Sequence, residues 1–138
     1  MREILFRGKR ISNGEWVEGF YIGAIADGEH EICDINSVTG HRTEVDPDTV
    51  GQYTGLQDKN DKRIFEGDVC RVCLDPEICT AVVGYREDTA SFIWRCSEKE
   101  MLVPIDYSVA RDKVGDAVWV EVIGNIHDNP EFMEVQSE

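Results

Sequence analysis

Turn signals interrupt this chain so often that no long regular element fits between them. Ser12-Asn13-Gly14, Ser37 to Gly40, Asp46-Pro47-Asp48, Asp58-Lys59-Asn60-Asp61-Lys62 and Glu66-Gly67-Asp68 punctuate it from one end to the other. Asp, Asn and Ser side chains bond nearby backbone N–H groups, and Gly supplies positive φ, so each cluster reverses the chain for a stated local reason. The runs between them are short and rich in β-branched and aromatic residues, which favours strands over helices.

The strand candidates follow directly. Glu3 to Arg7 alternates, with Ile4 and Phe6 on one side. Trp16 to Ile25 is aromatic and aliphatic, and its Gly19 and Gly23 suggest a bend or bulge. Glu31 to Ile35, Arg42 to Val45, Val50 to Tyr53, Asp68 to Leu74, Thr80 to Tyr85, Ser91 to Cys96 and Met101 to Ile105 continue the series. In Ala117 to Ile126, Val118, Val120 and Val122 alternate with Trp119, Glu121 and Ile123. Helical signals are few. Pro47 to Val50 fits a single turn, and Asn129 to Glu134 offers a cap residue, a proline at the first helical position and an acid in the first turn. The pattern predicts a mainly β chain: a small antiparallel β-barrel-like domain with long loops and a short C-terminal helix, a single domain over residues 1–138.

Charge narrows the partners. The 28 acidic residues against 14 basic ones give a net charge of -14. Seven acids lie between Asp27 and Asp48 against one base, Arg42, and from Glu121 onward there are five acids and no Lys or Arg. Such a surface repels a phosphate backbone, so direct nucleic-acid binding is disfavoured; the charge is read first as solubility, with a basic partner or mimicry of a nucleic acid's charge as the functional alternatives. Arg2, Arg7, Lys9 and Arg10 concentrate basic charge near the start, which could pair with the acidic face of the same or a neighbouring chain. No apolar run approaches the roughly 18 residues of a membrane span. Arg2, Glu3 and Arg7 break any apolar leader after Met1, so the expected setting is the cytoplasm.

Cys33, Cys70, Cys73, Cys79 and Cys96 are odd in number, which argues for reduced, packing cysteines. Cys70 and Cys73 have zinc-knuckle spacing, but within a strand residues three apart face opposite sides. His30, His41 and His127 add no paired ligand spacing, and neither a metal nor another cofactor is expected.

The stretch from Tyr53 to Val69 reads first as a hairpin. As a calcium loop beginning at Asp58 it fails, because Arg63 stands where Gly is needed and Val69 where the bidentate Glu belongs. Gly51, Gly55 and Gly67 make no phosphate-binding pattern. Together with Met1 to Arg7 at the start, Gly51 to Asn60 running on through Ile64 to Val69, and Val122 to Glu131 near the end, this stretch resembles the YopX family of bacteriophage and prophage proteins. The resemblance implies a phage-encoded, largely β protein in the cytoplasm of a bacterial host, and it brings no catalytic residue or cofactor. Where the family pattern has Gly after Lys-Asn, this chain has Asp61; Asn60 is then expected to take the left-handed position, at a cost of about 0.5–1 kcal/mol.

Two functions follow. One is a non-catalytic acidic interaction module that self-associates or binds a host or phage protein. Its candidate surfaces are the hairpin residues Tyr53, Thr54, Gly55, Leu56, Asp58, Asn60 and Asp68, and the strand from Trp16 to Tyr21. The other is an enzyme processing a small molecule or nucleotide, with a site at Asn125, His127 and Asp128, where a carboxylate beside an imidazole favours acid–base chemistry.

Overall fold

The computed structural model describes residues 3–23, 28–74, 77–96, 105 and 118–132. Its strands in chain order are β1 (Phe6–Lys9), β2 (Trp16–Ile22), β3 (Glu31–Asp34), β4 (Arg42–Glu44), β5 (Gly51–Gln57), β6 (Arg63–Phe65), β7 (Asp68–Leu74), β8 (Glu77–Arg86), β9 (Ser91–Cys96) and β10 (Val118–Asn125). They form two antiparallel sheets, one of order β4-β3-β2-β1-β5-β6 and one of order β10-β7-β8-β9. The chain divides into two compact units, Met1–Gly55 and Leu56–Glu138.

In the first unit, β1 and β2 form a hairpin registered from Phe6↔Gly19 to Lys9↔Trp16. Its turn is the expected one: Asn13 Oδ1 accepts from the Glu15 N–H at 2.9 Å, and Gly14 takes φ +73°. Alternation from Glu3 to Arg7 is present, but the buried side belongs to Leu5 and Arg7, while Ile4 stays 51% exposed. Arg7 tolerates burial because its guanidinium lies over the Trp16 ring, 4.6 Å from the centroid. Neither neighbour of β2 shows a register shift, so Gly19 marks no bulge. It is there because a Cβ would stand 1.8 Å from the Cys33 carbonyl oxygen of β3.

Val17, Ile32 and Val45 make the core of this unit, with Phe6, Tyr21 and Val50 packed against them. One isolated bridge, Arg10↔Val45, brings the residue after β4 back beside the end of β1. Among the described residues the expected barrel nevertheless does not close. β4 has only three residues, and the chain then turns into a 3-10 segment at Pro47–Thr49, so no ladder extends the bridge. Pro47 has no N–H to give to one. Asp46 accepts from the Asp48 N–H at 3.0 Å, and Thr49 passes the restraint on: its hydroxyl donates to the Asp46 carbonyl and accepts from the Lys9 N–H.

In the second unit, β7 lies between β10 and β8. Cys70, Val72, Ala81, Val83, Trp94 and Val120 meet Ile64 and Ile105 in a buried cluster. Each fully buried aliphatic side chain of this kind contributes about 1.5–3 kcal/mol. Cys70 pairs across from Ala81 and Cys73 from Ile78, so the two cysteines face opposite sides of the sheet. All five cysteines are thiols. In β10 the alternation holds where side chains are described: Val120 is buried and Val122 packs on the cluster, while Ile123 is exposed. A bulge between Val122 and Gly124 then turns the strand's end.

The expected C-terminal helix is a second correction. Through Phe132 there is one i→i+3 bond, from the Phe132 N–H to the Asn129 carbonyl. Asn129, the cap residue expected from sequence, instead turns its Oδ1 backward to accept from the Asn125 N–H at 3.2 Å, so its side chain does not cap the turn that follows. Met133 and Glu134 lie outside the described residues, as do Ala24, Ile25, Ala117 and all but Ile105 of the strand expected at Met101 to Ile105.

Gly19→Ala must push β3 away from β2 or abandon their pairing. We expect a loss of at least about 3 kcal/mol in chemical denaturation, whereas Gly14→Ala, with open space around its Cβ, costs about 1 kcal/mol through φ alone.

Candidate functional site

Asp58 is 6% exposed, and its carboxylate organises the hairpin between β5 and β6. Oδ1 accepts from the N–H groups of Asn60 and Lys62 at 2.8 and 2.9 Å, and Oδ2 from that of Val122 in β10 at 2.9 Å. The Asp58 N–H donates to the Lys62 carbonyl and the Lys59 N–H to the Val120 carbonyl. The tip of the hairpin therefore occupies backbone groups of β10 that would otherwise form an open sheet edge. Lys59 adds a salt bridge to Glu121 at 3.1 Å and lies over the Trp119 ring at 4.3 Å.

The left-handed residue of this turn is Asp61, at φ 62°, and not Asn60 as expected. Asn60 is held by its N–H bond to Asp58, so the residue after it makes the reversal. The remaining hairpin residues sit as follows. Tyr53 is buried and donates its N–H to the Leu5 carbonyl, Thr54 is half-buried, Gly55 is exposed at φ +89°, and Leu56 packs against the second core. Asp68, 1% exposed, accepts from the Phe65 N–H at 2.8 Å and so closes the Glu66-Gly67-Asp68 turn.

Asn125, His127 and Asp128 are brought together by one turn. Asn125 Oδ1 accepts from the N–H groups of both His127 and Asp128, and its Nδ2 donates to Asp128 Oδ2 at 3.0 Å. Asn125 is buried and Asp128 exposed. The Ile126 N–H donates to the Gly67 carbonyl, and a Cβ on Gly67 would lie 3.5 Å from Ile126 and 3.8 Å from His127 Nε2. The two signature turns thus pack on each other. In the β8–β9 turn, a bidentate hydrogen bond from Arg86 holds the exposed Asp88 carboxyl below its ordinary value.

The first unit carries a different feature. The β1–β2 ladder stops at Phe6↔Gly19, yet β2 runs on to Ile22 with β3 as its partner, and the Leu5 carbonyl turns away to accept from the Tyr53 N–H of β5. The sheet forks there. A groove of about 660 Å³ opens in the fork, lined by Glu3, Ile4, Leu5, Phe6, Phe20, Tyr21 and Ile35. Successive residues of a strand point to opposite faces, so a lining that includes both Phe20 and Tyr21 is what a gap between strands produces. Phe20 is 57% exposed. Tyr21 packs on Phe6 with ring centroids 5.3 Å apart, and its hydroxyl hydrogen-bonds His30 Nδ1. The strand from Trp16 to Tyr21 is a candidate from sequence; Ile4, Leu5 and Ile35 are not, because isolated apolar residues at strand ends carry no signal of their own.

Comparison with known proteins gives three findings. The family model described as YopX protein matches residues 5–134. No curated protein matches. Among solved structures the chain is similar to the crystal structure of protein EF1440 from Enterococcus faecalis, at 23% identity and a TM-score of 0.58, covering 96% of this chain and 99% of that one. At that identity the likeness is one of fold.

Asp58→Ala strands the Val122 N–H and two turn donors, and we expect a loss of about 2–4 kcal/mol by urea denaturation. At Asp61, Gly stays within about 0.5 kcal/mol of the parent, whereas Val costs about 1–2 kcal/mol because a β-branched residue resists positive φ.

Proposed function

The chain belongs to the YopX family, and from that premise we propose that it is a non-catalytic acidic interaction module, of bacteriophage or prophage origin and cytoplasmic, that binds a protein partner through the forked end of its first sheet. The observation that carries this reading is the apolar groove itself: Phe20 and Ile4 are each more than half exposed beside it, on a protein whose net charge is -14. Exposed aromatic side chains beside a preformed concavity are the usual anchors of protein recognition.

The hairpin fits this reading as scaffold. Asp58 and Asp68 are buried; both Asp58 oxygens and Asp68 Oδ2 accept from backbone N–H groups, which supports a role in holding strands. The Asn125 to Asp128 turn is likewise closed on itself by its own hydrogen bonds. Its acceptors serve the turn's own N–H groups, which argues against an acid–base site.

The test is capture of partners from phage-infected cell lysate by the tagged protein, beside a charge-matched acidic control and a Phe20→Asp variant. We expect a basic protein recovered by the parent at least tenfold over Phe20→Asp, with the melting temperatures of the two within a few degrees. Equal recovery by parent, variant and control would remove the groove from any role in recognition.

A further inference from the structure

Three residues of β2, Phe20 to Ile22, extend past the last β1–β2 pair while remaining registered to β3 through Phe20↔Cys33, Tyr21↔Ile32 and Ile22↔Glu31. Among the described residues, nothing pairs with the β1-facing edge there, which consists of the Tyr21 N–H and C=O, since Phe20 and Ile22 turn theirs to β3. A strand with one side satisfied and the other open beside an apolar groove is a template for an incoming strand. Main-chain groups supply the affinity in such additions, and alternate side chains fill the pocket.

From this geometry, and resting on the interaction reading above, we infer that the fork receives an extended protein segment by strand addition, one whose alternate residues are apolar anchors and Lys or Arg. The apolar positions enter between Ile4, Phe20 and Ile35. The basic positions answer the protein's net charge of -14 and the Glu3 carboxylate in the groove lining, while Glu31, opposite Ile22, already pairs with Arg42 at 4.0 Å. Among the described residues, no basic side chain lines the groove.

A second copy of this chain is a poorer occupant, since two surfaces of net charge -14 repel.

The probe is a capped peptide, Lys-Ile-Lys-Phe-Lys-Ile-Lys, titrated into the intact, isotopically labelled protein at about 0.15 M salt, where long-range attraction is screened beyond about 8 Å. Two further peptides carry N-methyl groups, one on the apolar residues and one on the lysines, so that each loses the donors of one strand edge. A fourth replaces Lys by Glu. Strand addition predicts amide shifts concentrated at Ile4 to Phe6 and Phe20 to Ile22. It also predicts at least tenfold weaker binding for one N-methylated form or both, for the Glu peptide, and for the parent peptide on Phe20→Asp protein. Should Phe20→Asp abolish binding while both N-methylated forms bind like the parent peptide, strand addition is wrong and the groove reading survives. Shifts elsewhere, affinity indifferent to Phe20→Asp, or no binding at millimolar peptide would overturn both.

Discussion

One buried carboxylate connects two distant parts of the second unit. Asp58 accepts hydrogen bonds from two N–H groups of its own turn and one from β10, sixty-four positions away in the chain. The arrangement solves two problems at once. It fixes the conformation of a charged hairpin, and it occupies backbone groups along the edge of β10 that would otherwise invite pairing with another chain. Lys59 completes the seal with its N–H on the Val120 carbonyl and its ammonium between Glu121 and the Trp119 ring. Charged side chains so close to a core are tolerable because every contact pairs them with an opposite charge, a backbone dipole or an aromatic face.

The same economy runs through the other signature turns. Asp68 closes the turn before β7, Gly67 lets Ile126 and His127 approach, and Asn125 ties three backbone and side-chain groups into one reversal. Residues that look like chemistry in a linear reading, an acid beside an amide or a histidine beside an acid, are here the means by which short strands end and restart. A chain with so many turns has many backbone groups to satisfy, and short polar side chains are the nearest donors and acceptors.

Local signals explain which elements are legible in the sequence. The strands at Asp68 to Leu74 and Ser91 to Cys96 match residue for residue, because turn chemistry on at least one side and β-branched or aromatic residues within leave little choice. Opposite facing of Cys70 and Cys73 follows from strand periodicity alone. Where sequence and structure part, the cause is tertiary. Asn129 has the credentials of a helix cap, yet its oxygen finds Asn125 behind it. Asn60 is the better left-handed residue by propensity, but its N–H is taken by Asp58 and the reversal moves to Asp61. The barrel fails to close because a three-residue β4 runs into Pro47. Of the groove lining only Phe20 and Tyr21 lie in a stretch that the sequence offers as an interaction surface, since a fork depends on where a ladder stops and no residue type announces that.

On the proposed reading, labour in this molecule is divided between signature turns that hold strands and a forked edge of the first sheet that would meet a partner. Native-state amide hydrogen exchange on the parent protein tests that division most directly. If the hairpin is scaffold, the N–H groups of Lys59, Lys62 and Val122 are protected to the level of the β7 amides and open only with the unit as a whole. Exchange of these three amides at rates near those of an unstructured loop, with β7 still protected, would show a hairpin held in reserve for a ligand and contradict the division.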